Sequence, residues 1–247
     1  MAQALWHEDE AHSRLRPVTL GRKEGAVLVR AAFSLISQGT ERLVASGRVP
    51  KASYEEMRVP YQEGHLSLPV KYGYSLTGRV EEGPASLRGR WVHLMHPHQD
   101  YCRVAAADCT LLPPGLPPDR ACLASNLETA LTAVWDSGVT LGDRVLVVGF
   151  GLIGALTARL LMDIPAVEVL FLEPHPYRRR LAEEWGLAPW PEATPPPADI
   201  AFHASATGAG LQAAVQAVGR EGRIVEMSWY GDRSVELRLG LDFHQGR

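Results

Sequence analysis

The stretch RVLVVGFGLIGALTARLL, from Arg144 to Leu161, limits what this chain can fold into more than any other segment. Its run RVLVVGF has the length and β-branched content of a buried strand, while GLIGALTARLLMD changes to a helical period. Between them Gly149, Gly151 and Gly154 form the pattern G-x-G-x-x-G. The first glycine permits a tight turn, the second lets backbone approach a pyrophosphate, and the third lets the helix pack on the sheet. Free N–H groups and the helix dipole then favour an anion. The next strand, VEVLFLE, ends in Glu173, about twenty residues beyond the turn, where a carboxylate accepts from ribose hydroxyls. These residues predict a dinucleotide site comprising Gly149, Phe150, Gly151, Leu152, Ile153, Gly154 and Glu173.

Glu173 argues for NAD, because a carboxylate there repels a 2′-phosphate. Arg178, followed by Arg179 and Arg180, leaves NADP open, since one arginine could pair with that phosphate. Their plainer reading is a solvated helix face. The strand ADIAFHASA carries Ala204 and Ser205 to the carboxyl edge of the sheet, where ligands sit in open α/β folds. Backbone contact with the cofactor is expected there.

The rest of the chain sets a frame for this unit. Before residue 120, GAVLVRAAFSLI, YGYSLTGRVEEG, GRWVHLM and YCRVAAA are short strand-like runs separated by turn residues, which suits a small β-barrel. The polar segment between the first two, with Pro50, Pro60 and Pro69, is expected to form short helices or surface loops. LLPPGLPPDR, at 111–120, is too stiff and donor-poor for an element interior and marks a boundary. The domains predicted are 1–120 and 121–247. Beyond the boundary, strands alternate with helices, ending in GLQAAVQAVG and the strand GRIVEMSWYG, which implies right-handed crossovers and a parallel sheet. PEATPPPAD, at 191–199, reads as an exposed connection.

Bulk properties narrow the function classes. The 247 residues are 46% apolar and 21% charged, with a formal net charge of −3 from 25 basic and 28 acidic residues. Neither nucleic acid nor an anionic membrane is an expected partner. Cys102, Cys109 and Cys122 are an odd set without a disulfide framework, which fits a reducing cytosol. MAQALWHEDEAHSR shows no basic leader followed by an apolar block. A cytoplasmic globular protein is expected.

Four stretches together resemble the medium-chain dehydrogenase/reductase superfamily, the alcohol and sorbitol dehydrogenase-like group. VRAAFSLISQGTE occupies the place of an early strand and its zinc-ligand turn, and LPVKYGYSLTGRVEEG that of a Gly-His-Glu segment. ASNLETALTAVWDSGVTLGDRVLVVGFGLIG matches a helix and cofactor turn, and VLFLEPHPYRRRLAEEWG the following βα unit. The resemblance implies an N-terminal chaperonin-10-like β-barrel followed by a doubly wound Rossmann domain. It also implies a nicotinamide cofactor, a small alcohol or carbonyl substrate held between the domains, and a homo-oligomer. Such proteins continue through a final sheet strand and a returning segment, whereas this chain stops after VELRLGLDFHQGR. The Rossmann domain is therefore expected to be truncated at its C-terminal end.

Departures from the family bear on the chemistry. Zinc-dependent members bring a Cys from the first turn, a His from the Gly-His-Glu segment, and a Cys or Glu from the later helix. Here SLISQGTE has no Cys, Tyr74 replaces the His, and only Glu128 stands where a ligand is expected. One carboxylate does not hold Zn²⁺, which takes three protein ligands plus an open position in catalytic sites. The expectation is a site without zinc. His93, His96 and His98, with Cys102 and Cys109, are an alternative donor set, though their spacing matches no familiar zinc site. Tyr74 can donate to a developing alkoxide in the lost ligand's place, yet a half-buried barrel tyrosine explains it too. Thr40, beside Glu41, matches the family's hydroxyl relay, or an ordinary polar turn. Glu128 would orient substrate or serve as a base if burial raises its pKa. A zinc-independent reductase of quinones or activated alkenes and a non-catalytic dinucleotide-binding redox sensor are the rival functions.

Overall fold

Ala2 and Ala4, and Val27 and Val29, are buried at alternate positions, so one face of their strands supplies a core. In the computed structural model, which describes residues 1–21, 25–191 and 196–244, the chain begins with a hairpin. Strands β1 (Ala2–His7) and β2 (Ser13–Val18) pair antiparallel. The sequence reading missed both, because β2 is largely exposed and carries no apolar alternation. Strand β3 (Ala26–Ser34) buries Val27 and Val29, and helix α1 (Gln38–Ala45) turns Glu41, Leu43 and Val44 inward. Two-residue strands β4 (Glu63–Gly64) and β5 (Val70–Lys71) precede β6 (Leu76–Glu82), β7 (Trp91–Leu94), β8 (Tyr101–Ala105) and β9 (Thr110–Leu111).

These strands form two antiparallel sheets, ordered β2-β1-β5-β4 and β8-β3-β6-β7-β9. An isolated bridge, Ala4 to Gln99, ties β1 to the turn before β8. Val27, Val29, Leu76, Val80, Val92, Leu94, Cys102 and Val104 make the core of the larger sheet. Helix α2 (Pro118–Ala121) opens with a proline, whose missing N–H costs nothing in a first turn. The Thr77 hydroxyl donates to the Pro118 carbonyl at 2.8 Å, and Ser75 to that of Cys122. Residues just past 120 are thereby fastened to β6, and the first compact unit extends to Ser125, with Asn126–Arg247 forming the second.

In the second unit, helix α3 (Ala124–Ser137) leads into β10 (Arg144–Val148), α4 (Leu152–Leu161), β11 (Glu168–Leu172) and α5 (Pro176–Glu184). Then come β12 (Ala188–Pro189), β13 (Ala198–His203), α6 (Gly208–Ala217) and β14 (Val218–Glu226). The sheet runs β12-β11-β10-β13-β14, parallel at every pairing. Strand β12 escapes a sequence reading because it has two residues, one of them a proline tolerated only at a sheet edge. Part of PEATPPPAD, 192–195, lies outside the described residues.

Both faces of this sheet are covered. Val145, Val147, Phe171, Ile200 and Phe202 pack with Ala158 and Leu161 of α4 and Ala182 of α5. On the opposite face Leu146, Val148, Leu170 and Ala201 meet Ala214 and Ala217 of α6. The order reverses at β10, since β11 lies on one side and β13 on the other. That switch point opens a crevice at the carboxyl ends of the strands. Among the described residues no helix is long and apolar enough to cross a membrane.

Phe171 is 1% exposed, and its ring centroid lies 5.9 Å from that of Phe150. Phe171→Ala should destabilise the parallel-sheet unit by roughly 3–5 kcal/mol, measured by urea unfolding. Leu15→Ala, at a 69% exposed position of β2, should change stability by less than about 0.5 kcal/mol.

Candidate functional site

The three glycines have three separate structural reasons. Gly149 adopts φ +93°, in the left-handed region, and its N–H donates to the Leu172 carbonyl at 2.8 Å. A Cβ there would lie 2.8 Å from Ser205 Cα. At Gly154 a Cβ would collide with the Gly149 carbonyl oxygen, so α4 closes on the turn only without a side chain. Gly151 is the N-cap of α4 with φ −72°, which any residue adopts. Its Cβ direction is open, with Arg178 Nη1 the nearest atom at 3.9 Å. The open side of Gly151 is where the motif needs backbone exposed to an anion.

Glu173 sits just past β11 and is 7% exposed. Its Oε2 accepts from the Phe150 N–H at 2.8 Å, and its Oε1 from the His175 N–H at 2.7 Å. The carboxylate therefore fastens the glycine turn to the start of α5, a role not evident in the sequence. Each oxygen keeps further acceptor capacity, so a ribose hydroxyl can still be met. Arg178 Nη1 stands 3.9 Å from Glu173 Oε2 with its side chain 40% exposed, while Arg179 pairs with Glu183 at 3.1 Å. Leu152 and Ile153 occupy the first turn of α4, half-buried. The Ala204 N–H is taken by the Val148 carbonyl at 2.8 Å, prolonging the β10–β13 ladder, and is not open to a ligand. Gly149, Phe150, Gly151, Gly154, Glu173, Arg178 and Ser205 thus gather at one sheet edge. An open backbone cradle, a helix N-terminus and an acid beside it suit a dinucleotide.

Around Ser205 lies a polar network that sequence reasoning did not find. His203, fully buried, places Nδ1 2.8 Å from Glu226 Oε2 and Nε2 2.6 Å from Ser205 Oγ. Tyr230 donates to Glu226 Oε2 at 3.1 Å, and the Ser228 N–H to Oε1 at 2.7 Å. Burial alone would raise the Glu226 pKa, but the hydrogen bonds from His203 and Ser228 hold it below its ordinary value. Burial and the Glu226 charge push the Tyr230 phenol up to about 12. The His–Glu pair joins ends of neighbouring strands, and only the β13–β14 register brings the two residues together.

The barrel unit places the remaining candidates. Tyr74 is half-buried, its ring edge-on to Tyr72 with centroids 6.2 Å apart. Thr40 is half-buried in the first turn of α1. The inward residue is instead Glu41, 2% exposed, whose Oε2 meets His98 Nε2 at 2.7 Å and whose Oε1 accepts from the Ser37 N–H at 2.7 Å. His98 Nδ1 lies 2.9 Å from Ser34 Oγ. In the second unit Glu128 is exposed on α3, without the burial that its role as a base was to draw on.

The alternative histidine set does not converge. His98 is engaged by Glu41, and His93 Nε2 lies 3.4 Å from Ser75 Oγ. His96 Nδ1 donates to the Pro97 carbonyl at 2.8 Å, with its ring against Tyr61. Cys102 is fully buried, where burial pushes its thiol up to about 12, and Cys109 is half-buried. Among the described residues no three His, Cys, Asp or Glu side chains are arranged to hold a metal ion.

Gly154→Ala should destabilise the protein by roughly 1–3 kcal/mol through overpacking and broaden the unfolding transition of the parallel-sheet unit. Gly151→Ala should cost less than about 1 kcal/mol, the scale of an N-cap change, while weakening dinucleotide binding. A second expectation concerns His96, whose pKa burial lowers from 6.5 to about 4, with the Pro97 carbonyl opposing and Lys71 assisting. Between those values the unfolded chain binds a proton that the folded chain refuses. Stability should therefore fall as pH drops from about 6.5 to about 4, by on the order of 3 kcal/mol from this residue. Chemical denaturation across that range should show a shallower pH slope for His96→Gln; His7 and His93, also lowered by burial, leave a residual slope of the same sign.

No family model matches the chain. It is 27% identical over 164 residues, 61% of its length, to YphC, an uncharacterised zinc-type alcohol dehydrogenase-like protein of Escherichia coli K12. It is 32% identical over 126 residues, 46% of its length, to 2-dehydro-3-deoxy-L-galactonate 5-dehydrogenase of Pseudoalteromonas atlantica. These matches span 46% and 37% of the relatives' own lengths, less than half of each. In fold it is similar to L-idonate 5-dehydrogenase of Escherichia coli K-12, at TM-score 0.81 and 15% identity, covering 99% of this chain and 80% of that one. Other neighbours of the same fold are solved with NADP, NADH or NAD. By sequence the chain is similar to zinc-type alcohol dehydrogenase-like proteins, and its fold is that of solved zinc-binding and polyol dehydrogenases.

Proposed function

We propose that the chain is a nicotinamide-dependent oxidoreductase that moves a hydride between NAD(H) and an alcohol or carbonyl carbon. The observation that carries this reading is the glycine turn at the switch point of the parallel sheet, open over Gly151 and closed by Glu173. Bound there, the cofactor supplies the redox chemistry. The backbone at Gly151 and the first turn of α4 hold the pyrophosphate. Glu173 accepts from the adenosine ribose hydroxyls and disfavours a 2′-phosphate, so NAD is the cofactor. Arg178 faces the same carboxylate at 3.9 Å and is the residue through which NADPH would gain affinity if Glu173 were neutral.

In the barrel unit Tyr74 donates its phenolic proton to the substrate oxygen and Thr40 passes a proton onward. Catalysis proceeds without zinc in this reading, because the first turn offers no Cys and Tyr74 stands in place of the His. The substrate is a small alcohol or its carbonyl counterpart, the class on which the dehydrogenase relatives act by name.

NADH should bind at least about tenfold more tightly than NADPH, a difference of about 1.4 kcal/mol, by fluorescence titration. Glu173→Gln should narrow that gap while keeping the residue's size. Oxidation of NADH with a panel of small ketones should persist after chelation and fall on Tyr74→Phe. Equal affinity for both cofactors in the parent protein, or turnover lost to chelation and restored by zinc, would count against the reading.

A further inference from the structure

The hydrogen-bond directions around Ser205 run one way. The Gly210 N–H donates to Thr207 Oγ1 at 3.0 Å, which leaves the Thr207 hydroxyl proton for Ser205 Oγ at 2.9 Å. Ser205 in turn faces His203 Nε2 at 2.6 Å, and His203 Nδ1 faces the Glu226 carboxylate at 2.8 Å. Because Glu226 is held as a carboxylate, Nδ1 carries the imidazole proton and Nε2 is the free lone pair. The serine proton therefore points at a base that the Glu226 carboxylate holds in the correct tautomer. Ser205 is half-buried and lies at the carboxyl edge of the sheet, while His203 behind it is fully buried.

We propose that Ser205, His203 and Glu226 form a nucleophilic serine triad that accepts acyl groups from short esters, an activity separate from hydride transfer. Nucleophile, base and orienting acid are recognised by distance and role, whatever the fold that carries them. Ala206, which follows the serine, has φ +51°, a conformation uncommon outside glycine. This sharp turn takes the chain from β13 towards α6 with the serine at the bend. The first N–H groups of α6 have no intrahelical partner, so the start of that helix offers donors to an oxyanion beside Ser205. Thr207 caps the helix through the Gly210 N–H and also fixes the serine hydroxyl, so one residue sets both.

The reaction balances with water as the only co-reactant. Ser205 Oγ bonds to the ester carbonyl carbon while its proton passes to His203 Nε2. The carbon–alkoxy bond then breaks, and that proton leaves with the alcohol. Water, deprotonated by the same nitrogen, attacks the acyl-serine; the acid departs and the proton returns to Ser205. No oxidant, metal or nucleotide takes part. The triad does not depend on the dinucleotide reading, since every group in it belongs to β13, β14 and the turns beside them.

The test is treatment of the intact protein with a fluorophosphonate probe, followed by peptide mapping, with p-nitrophenyl acetate hydrolysis measured in parallel. Stoichiometric labelling at Ser205 in the folded protein is expected, and none after denaturation. Glu226→Gln should slow labelling and hydrolysis by on the order of 10²-fold, and Ser205→Ala should abolish the label. Mapping in the unaltered chain requires no variant, so a variant that fails to fold leaves the result readable. No label at Ser205, or labelling that Glu226→Gln leaves unchanged in a folded variant, would overturn the proposal. NADH titration of the same sample tests the dinucleotide reading on its own.

Discussion

The approach of α4 to the end of β10 is the contact on which the second unit depends. Gly154 packs against the Gly149 carbonyl oxygen with no room for a side chain, and Gly149 turns through a left-handed conformation against Ser205. A Cβ at Gly154 would hold the helix off the turn, and one at Gly149 would press on Ser205. Val147 could not then pack with Ala155 and Ala158, and the N–H groups at the head of α4 would be aimed elsewhere. The cradle is thus a packing consequence before it is a binding site. Glu173 reinforces it, because its two oxygens hold Phe150 and His175 on either side of the crevice.

A second regularity is the use of acid–histidine pairs. Glu41 with His98 in the barrel, and Glu226 with His203 in the parallel-sheet unit, each join residues far apart in sequence. Each pair ends in a serine hydroxyl, Ser34 in one and Ser205 in the other. A buried polar group without a partner is costly, so the buried Glu41, His98 and His203 each need the partner they have. In the barrel this pairing engages both ring nitrogens of His98.

The His203–Glu226 pair also specifies register. A slip of one residue between β13 and β14 would turn Glu226 away from His203 and strand a buried imidazole. Fully satisfied networks of this kind favour one arrangement over its neighbours.

The sequence by itself determined the parallel-sheet unit, because strand, glycine turn, helix, strand and acid are all local signals. Gly149, Gly151, Gly154 and Glu173 are legible from spacing, since each answers a constraint set by residues close in the chain. The larger barrel sheet was legible from alternation at Val27 and Val29 and at Cys102 and Val104. The exposed hairpin and the two-residue strands left no period to read. Only the tertiary structure decided which polar residues meet. Position alone did not show that Glu41, next to Thr40, is the buried residue of that turn, or that Glu128 is exposed. Ser205, His203 and Glu226 became one network only through strand pairing. Side-chain pairing across strands is a property of register and burial, and neither is written in the local sequence.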